Sequence, residues 1–325
     1  MTSCLETDGW AVPVKVKKCV RKWQFKPIFV TKWFGIPSER IKMKHFKNIY
    51  KLLQRLILHA SKWRYGTSGV CHSCGYFTFF LYSKDIARRL TLLVSLWNLS
   101  GPFQRELVER ENYFCCCCSA NFRKRALAQT VLDLLDMDDN VALSRHLSHN
   151  EQFSMYESSG YNVFSSEKIQ QSDRYVVSEY YPDKEFGIVN NGVRNENLER
   201  LTFPDNHFDV VITSEVLEHV AKFDDALQEI RRVLKPGGYH VFTVPVDWEL
   251  PASRERVTID ANGPVHVLPP IFHGDTIRDE GILVFRDFGS DVLDVLTRDG
   301  FACHKRQFKT PSHEETFVYF ARKIS

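Results

Sequence analysis

The sequence predicts an α/β fold from about residue 150, a largely parallel sheet covered by helices on both faces, with a smaller Cys-bearing helical region before it. Three observations carry this. Strand-like and helix-like runs alternate after residue 150, a Lys-Pro-Gly-Gly turn joins one such helix to the next strand, and two Cys-x2-Cys pairs fall within residues 65–140.

A chain of 325 residues can hold one medium domain and a smaller unit. Apolar residues at 43% and charged residues at 26% exclude a disordered or fibrous chain. The apolar runs Leu52–Ala60 and Ala87–Leu99 are too short to fill the roughly 20 positions of a membrane span, so no transmembrane segment is expected. The start Met1-Thr2-Ser3-Cys4 lacks the basic and apolar stretches of a secretory signal, and a cytoplasmic location is the expectation. An odd number of cysteines, nine, suits metal ligands in a reducing compartment better than a disulfide framework.

Taken in order, residues 1–64 form a basic extension: 15 Lys and Arg oppose only Glu6, Asp8 and Glu39, a net charge of +12. Such a surface suits phosphate groups, so contact with nucleic acid through residues 1–64 is one expectation and a solvated basic face the other. Residues 41–60 have the spacing of a basic amphipathic helix, and Trp10, Trp23, Trp33 and Trp63 favour a packed extension. Residues 65–140 read as a Cys-rich helical module, helical over 84–112 with a break at Gly101-Pro102 and again over Arg123–Leu135. The third unit, 150–325, carries strands near Phe153–Tyr156, Tyr175–Ser178, Phe208–Thr213 and Tyr239–Val246 and helices near Lys222–Leu234 and Ser290–Arg298. Phe301–Phe308 and Thr316–Lys323, joined by a polar turn at Pro311-Ser312, read as a closing antiparallel hairpin.

The segment Leu201–Pro245 gives the most specific pattern: a polar turn, a buried strand (FDVVIT), an acidic loop (SEVLEHV), an amphipathic helix, Lys-Pro-Gly-Gly and another strand. It resembles class I S-adenosylmethionine-dependent methyltransferases of the type 11-like kind, whose pattern LPFxDxxFDxVxxxxxLEHVxxxxxALxExxRVLKPGG it matches at nearly every position. The resemblance implies a Rossmann-like seven-stranded sheet closed by the C-terminal hairpin, with the cofactor outside the carboxyl ends of the strands. It also implies cofactor-binding residues just after each strand. Glu157 and Gly160 stand in the loop after the first strand, where the family has acidic-x-Gly-x-Gly-x-Gly and this chain has Glu157-Ser-Ser-Gly160. That departure either weakens cofactor binding or is a variant loop with small serines for glycines, and we favour the second. Glu179, with Tyr180, ends the second strand 22 residues after Glu157, the interval expected for a ribose-binding acid; an exposed strand-end acid is the plainer reading. Asn197 stands where the family has an Asp for the adenine amino group, with Leu198 beside it, and Ser214 and Glu215 begin the loop that lines the cofactor. Glu218 and His219 match the family's Glu-His pair, where a packed structural histidine fits as well as a catalytic one.

Residues 262–289 (NGPVHVLPPIFHGDTIRDEGILVFRDFG) resemble those of a bacterial subgroup with a HxxPPxxHGD element and the same altered first loop, which points to a small-molecule or glycan acceptor. His266, His273 and Asp275 are the candidate catalytic residues, as bases for an attacking hydroxyl or amine, although such histidines also serve to hydrogen-bond a Pro-rich loop together. Cys71, Cys74, Cys115 and Cys118 are the candidate ligands of a structural Zn2+, with the register open by one residue in the run Cys115–Cys118. Cys118-Ser-Ala-Asn-Phe-Arg-Lys-Arg resembles the CxxCxxxxRxR of a small metal module attached to related methyltransferases. Two further readings stand beside a glycan or small-molecule methyltransferase. One is a nucleic-acid methyltransferase, weakened because Pro269-Pro270 is followed by Ile271 and not an aromatic; the other is a degenerate, non-catalytic binding protein.

Overall fold

The computed structural model describes residues 66–97, 99–190, 192–274, 281–297 and 301–324. The basic extension 1–64, its amphipathic helix, the surface expected for nucleic acid and Asp275 lie outside the described residues. The chain divides into two compact units, residues 64–270 with 284–325, and residues 1–63 with 271–283. No helix among the described residues is long and apolar enough to cross a membrane.

The larger unit begins with a hairpin of β1 (Gly66–Val70) and β2 (Phe77–Leu81), extended by the two-residue β3 (Phe114–Cys115) into a three-stranded antiparallel sheet. Between β2 and β3 lie α1 (Lys84–Ser95) and α2 (Gly101–Arg110). Gly101-Pro102 therefore begins the second helix instead of closing the first: Ser100 caps it by accepting from the Phe103 N–H at 3.3 Å, and proline at the start gives up an N–H that needs no partner there. Next come α3 (Phe122–Leu134) and α4 (Asn140–His149), capped by Asn121 and Asp139.

The main sheet uses β4 (Met155–Ser158), β5 (Tyr175–Glu179), β6 (Val189–Asn190), β7 (Val193–Asn195), β8 (Phe208–Ser214) and β9 (Leu234–Thr243). Only a single helical turn, α5 (Glu167–Gln170), links β4 to β5, whereas α6 (Phe223–Val233) links β8 to β9. After β9 come short excursions, β10 (Arg254–Glu255), the hairpin β11 (Val257–Asp260) with β12 (Gly263–His266), and β15 (Arg286–Asp287), which pairs β10. The smaller unit contributes the described hairpin β13 (Phe272–His273) with β14 (Ile282–Leu283). A short α7 (Val292–Leu296) precedes β16 (Phe301–Lys309) and β17 (Glu315–Lys323). The strand order is β16-β17-β9-β8-β4-β5-β7-β6. Neighbours from β9 to β7 run parallel, and β17 lies antiparallel between β9 and β16. This is the expected Rossmann-like methyltransferase sheet with its closing hairpin, extended by the edge strand β6.

Side chains alternate between the faces of a strand, and two cores result. Tyr156, Val211, Phe242 and Tyr319 pack under α6 and α7, while Met155, Val210, Ile212, Val241 and Val318 pack under α3 and α4. Phe208 breaks the alternation by joining the α6 side, because the register shifts between Phe208 and Val210. In α6, Phe223, Ala226, Leu227, Ile230 and Val233 recur at helical spacing and are all buried. The helix ends at Val233, and Pro236-Gly237-Gly238 lies within the opening of β9, with Gly237 at φ +81.

Because α3 covers half of the sheet, it shares that sheet's stability. Leu127 is fully buried against the sheet's α3 face, so Leu127→Ala is expected to lower the unfolding free energy by about 2–5 kcal/mol. Urea titration followed by circular dichroism will show this as loss from the main transition; a separate early transition with the main one unchanged would contradict it.

Candidate functional site

The carboxyl ends of β8, β4 and β5 lie side by side, the place where open α/β sheets bind ligands. Glu157, on β4, is fully buried, and both its carboxylate oxygens accept from the Val163 N–H, at 3.0 and 2.9 Å, while the Tyr175 hydroxyl donates to one of them. Its work is to staple the loop 158–163. Burial pushes its pKa up to about 7, against the opposing pull of the Tyr175 and Val163 hydrogen bonds. Within the loop the left-handed backbone falls on Ser159 (φ 64) and Asn162 (φ 55), and the Asn162 amide donates to the Gly160 carbonyl at 2.7 Å. Gly160 meets a different need: a Cβ there would stand 2.8 Å from Oε1 of Glu179. The single glycine of the loop is thus the residue that lets it close over the half-buried carboxylate ending β5.

The other expected cofactor contacts are spread over the same edge. Tyr180 is exposed and stacks on Phe186 at 6.0 Å between ring centroids. Asn197 follows β7, and its Oδ1 accepts from the Glu199 N–H at 2.9 Å, while Leu198 is buried in the core with Tyr156 and Phe203. Ser214 ends β8 in a hydrogen bond from Arg123, and Glu215, at φ 54, accepts from Arg110 Nη2 at 2.6 Å. Arg123 also donates to Glu111 at 2.5 and 3.1 Å and to the Tyr161 hydroxyl at 2.9 Å. Burial opposes the Arg123 charge, yet the adjoining Glu111 carboxylate outweighs it and holds the guanidinium ionised. Arg110, Glu111, Arg123 and Tyr161 did not figure among the sequence-derived candidates. The available sign was the Arg-x-Arg that follows Cys118, which contains Arg123.

His266 lies on the exposed β12 of the larger unit and His273 on β13 of the smaller one. Glu218 and His219 sit in the turn Leu217–His219; Glu218 is fully buried, burial raises its pKa, and its carbonyl accepts from the Phe285 N–H at 2.8 Å.

Four thiols converge elsewhere in the unit. Sγ of Cys71 and Cys118 are 3.7 Å apart, those of Cys74 and Cys115 are 3.8 Å apart, and all four lie within 4.8 Å of one another. The two turns that carry them are built alike. Cys71 N–H donates to the Tyr76 carbonyl at 2.9 Å and Gly75 N–H to the Cys71 carbonyl at 2.7 Å; Cys115 N–H donates to Ala120 at 2.8 Å and Ser119 N–H to Cys115 at 2.8 Å. The residue after each second cysteine is left-handed, Gly75 at φ 78 and Ser119 at φ 62. Cys115 and Cys118 face the first pair, and Cys117 is exposed. A tetrahedron with metal–sulfur bonds of about 2.3 Å has sulfur–sulfur edges of about 3.8 Å, so the thiols fit Zn2+.

Comparison with known proteins gives the following. A family described as a methyltransferase domain matches residues 156–242. A ubiquinone/menaquinone biosynthesis C-methyltransferase of Shewanella sp. strain W3-18-1 is 48% identical over a stretch covering 38% of this chain and 55% of that protein. The chain thus spans about half the length of the curated relatives it matches. A solved S-adenosylmethionine-dependent methyltransferase of Mesorhizobium loti is 18% identical, covering 53% of this chain and 91% of its own, with a TM-score of 0.34. A Burkholderia thailandensis 1,6-didemethyltoxoflavin-N1-methyltransferase, solved with 1,6-didemethyltoxoflavin and S-adenosylhomocysteine, is 16% identical, covering 62% of this chain and 88% of its own, with a TM-score of 0.32.

The buried Glu157 gives a pH test. A carboxyl raised from 4.5 to about 7 on folding contributes stability that is fully present below 4.5 and is lost as pH rises through 7. Relative to Glu157→Gln, the wild-type chain should therefore lose on the order of 1–3 kcal/mol between those limits. Urea unfolding of both proteins across pH 4.5 to 8 measures the difference, and a pH-independent difference would contradict the assignment.

Proposed function

We propose that this chain is an S-adenosylmethionine-dependent methyltransferase. The observation that carries the reading is the meeting of Glu179, at the end of β5, with Gly160 in the loop after β4. A carboxylate at the end of that strand can accept two ribose hydroxyls, and the absent side chain at residue 160 lets the loop approach it. The match of residues 156–242 to a methyltransferase domain supports the same reading. When bound, the cofactor supplies an electrophilic methyl group on a sulfonium sulfur. In this account Glu157 positions the loop, Glu179 and Tyr180 flank the ribose, Asn197 and Leu198 lie toward the adenine, and Ser214 and Glu215 bound the site beyond β8.

The acceptor in this reading is a hydroxyl or amine of a glycan or related small molecule, supported by the resemblance of residues 262–289. His266, His273 and Asp275 are the chain's candidate proton acceptors, and the remaining acceleration comes from holding nucleophile and methyl carbon in line.

The second part of the proposal is a structural Zn2+ held by Cys71, Cys74, Cys115 and Cys118, supported by the sulfur separations and the paired turns. A tetrathiolate ties the β1–β2 turn to the segment that enters α3.

Two measurements test these statements. Calorimetric titration with S-adenosylhomocysteine should show one site, weakened at least about tenfold by Glu179→Ala. No binding at millimolar ligand would overturn the enzyme reading in favour of a non-catalytic binding protein. Elemental analysis should find one zinc per chain, retained in Cys116→Ser/Cys117→Ser and lost in Cys115→Ser/Cys118→Ser; the opposite pattern would refute the ligand register.

A further inference from the structure

We infer that Glu215 takes the proton in the methyl-transfer step, that Arg110 holds the acceptor beside it, and that the atom methylated is therefore a hydroxyl oxygen. The inference rests on the methyltransferase reading above and deepens it: it names the acceptor group and assigns the proton to a residue other than His266, His273 and Asp275.

The observation is a half-filled ion pair. A guanidinium presents its Nε–H and one Nη–H along one edge, and a carboxylate fills that fork with both oxygens. Arg110, the last residue of α2, donates from Nη2 to Oε2 of Glu215 at 2.6 Å. The second prong is not made. Arg110 Nε and Glu215 Oε1 are both buried, and neither has a hydrogen-bond partner among the described residues. The Arg110 side chain is only 2% exposed, and the Glu106 and Glu111 carboxylates stand 3.6 and 3.9 Å from its Nε, beyond hydrogen-bonding distance. Buried polar atoms are nearly always paired, so this donor and this acceptor together call for one group that accepts from the first and donates to the second.

Position makes that group the methyl acceptor. Glu215 follows the last residue of β8, the strand between β4 and β9, at the end of the sheet where such folds bind ligands. Its N–H donates to the Thr243 carbonyl at 3.0 Å, and its backbone is left-handed, at φ 54, a strained conformation of the kind that clusters at active sites. The neighbouring carboxylates are otherwise engaged. Oε1 of Glu106 accepts from Thr316 Oγ1 at 2.6 Å, and Glu111 is spent on Arg123 and Asn121. Glu218 is fully buried, and burial first, then the charge of Glu215, raise its pKa well above the ordinary carboxylate range. Of these four acids, Glu215 is the one with an oxygen left for an incoming proton.

Lone pairs decide between a hydroxyl and an amine. A neutral amine has a single lone pair, and that pair is the nucleophile, so the nitrogen cannot accept from Arg110 while it attacks. A hydroxyl oxygen has two: one accepts from Arg110 Nε, the other attacks the methyl carbon, and the O–H donates to Glu215 Oε1. In the step, the oxygen lone pair forms the new O–C bond, the C–S bond breaks with its electron pair passing to the sulfonium sulfur, and the hydroxyl proton passes to the Glu215 carboxylate. Arg110 keeps its charge throughout and stabilises the negative charge that develops on the oxygen.

The test uses the full chain with methyl α-D-glucopyranoside, methyl α-D-mannopyranoside and methyl α-D-galactopyranoside, each beside its 2-amino-2-deoxy counterpart. Incubation with S-adenosylmethionine bearing an isotope-labelled methyl group, read by NMR, should place the label on oxygen in at least one of these sugars. Glu215→Gln keeps an oxygen for Nη2 and removes the capacity to take a proton, so at saturating cofactor the rate should fall at least about 100-fold. Arg110→Lys keeps the charge but loses the forked edge, and in calorimetric titrations of the S-adenosylhomocysteine-loaded chain it should weaken binding of the labelled sugar at least about tenfold. Label on nitrogen or carbon would overturn the hydroxyl assignment, and a Glu215→Gln rate within about threefold of the wild type would overturn the base. Unchanged sugar binding in Arg110→Lys would remove Arg110 from the acceptor site. If S-adenosylhomocysteine binds but none of the sugars is labelled, the acceptor assignment fails while the methyltransferase reading stands. If S-adenosylhomocysteine does not bind, that reading fails, and this inference with it.

Discussion

The guanidinium of Arg123 is the contact on which the most of this structure converges. A buried charge persists only when paired and fully hydrogen-bonded, and breaking such a set by removing one partner costs about 3–5 kcal/mol. Arg123, in the first turn of α3, meets that requirement with partners from three places: Glu111 after α2, Ser214 at the end of β8 and Tyr161 in the loop after β4. None can shift without exposing an unpaired charge. The segment that precedes β4 is therefore tied to the functional end of the sheet by electrostatics and to its face by the packing of Leu127, Val131, Leu143 and Leu147.

Physical division of labour among the carboxylates follows from their surroundings. Burial raises the pKa of Glu157 against the opposing hydrogen bonds from Val163 and Tyr175, and those bonds confine it to shaping the loop. Glu111, partly buried, faces Arg123 and is held ionised, its pKa lowered because the pull of Arg123 and Arg110 exceeds the burial penalty. Glu179 stands half-buried at the loop's glycine, where a ligand hydroxyl has access. Three acids along one edge of the sheet thus take three roles, set by environment and not by residue type.

Much of this was legible from local sequence. The run from Phe208 to Thr243 gave strand, helix and strand within a residue or two at most ends, because a period of 2 followed by a period of 3.6 reads directly as two alternating faces and one buried stripe. The start of β9 was placed late, since Pro236-Gly237-Gly238 reads as a turn while its backbone already belongs to the strand. Glu179, singled out by its interval from Glu157, is the residue at which β5 ends. The pairings of Arg123 with Ser214 and of Arg110 with Glu215 were not legible, for these partners lie 91 and 105 residues away along the chain and meet only after the sheet has formed. The cysteine register was likewise ambiguous in a run of four identical residues. Backbone hydrogen bonds that make the second turn a copy of the first support Cys115 and Cys118 as the second pair.

The central claim is that one ligand site spans the ends of β5, β4 and β8. Crystallographic analysis of the zinc-loaded chain with S-adenosylhomocysteine tests it most directly. The account predicts ribose hydroxyls on the Glu179 carboxylate. A ligand seated with its ribose away from Glu179 would contradict it.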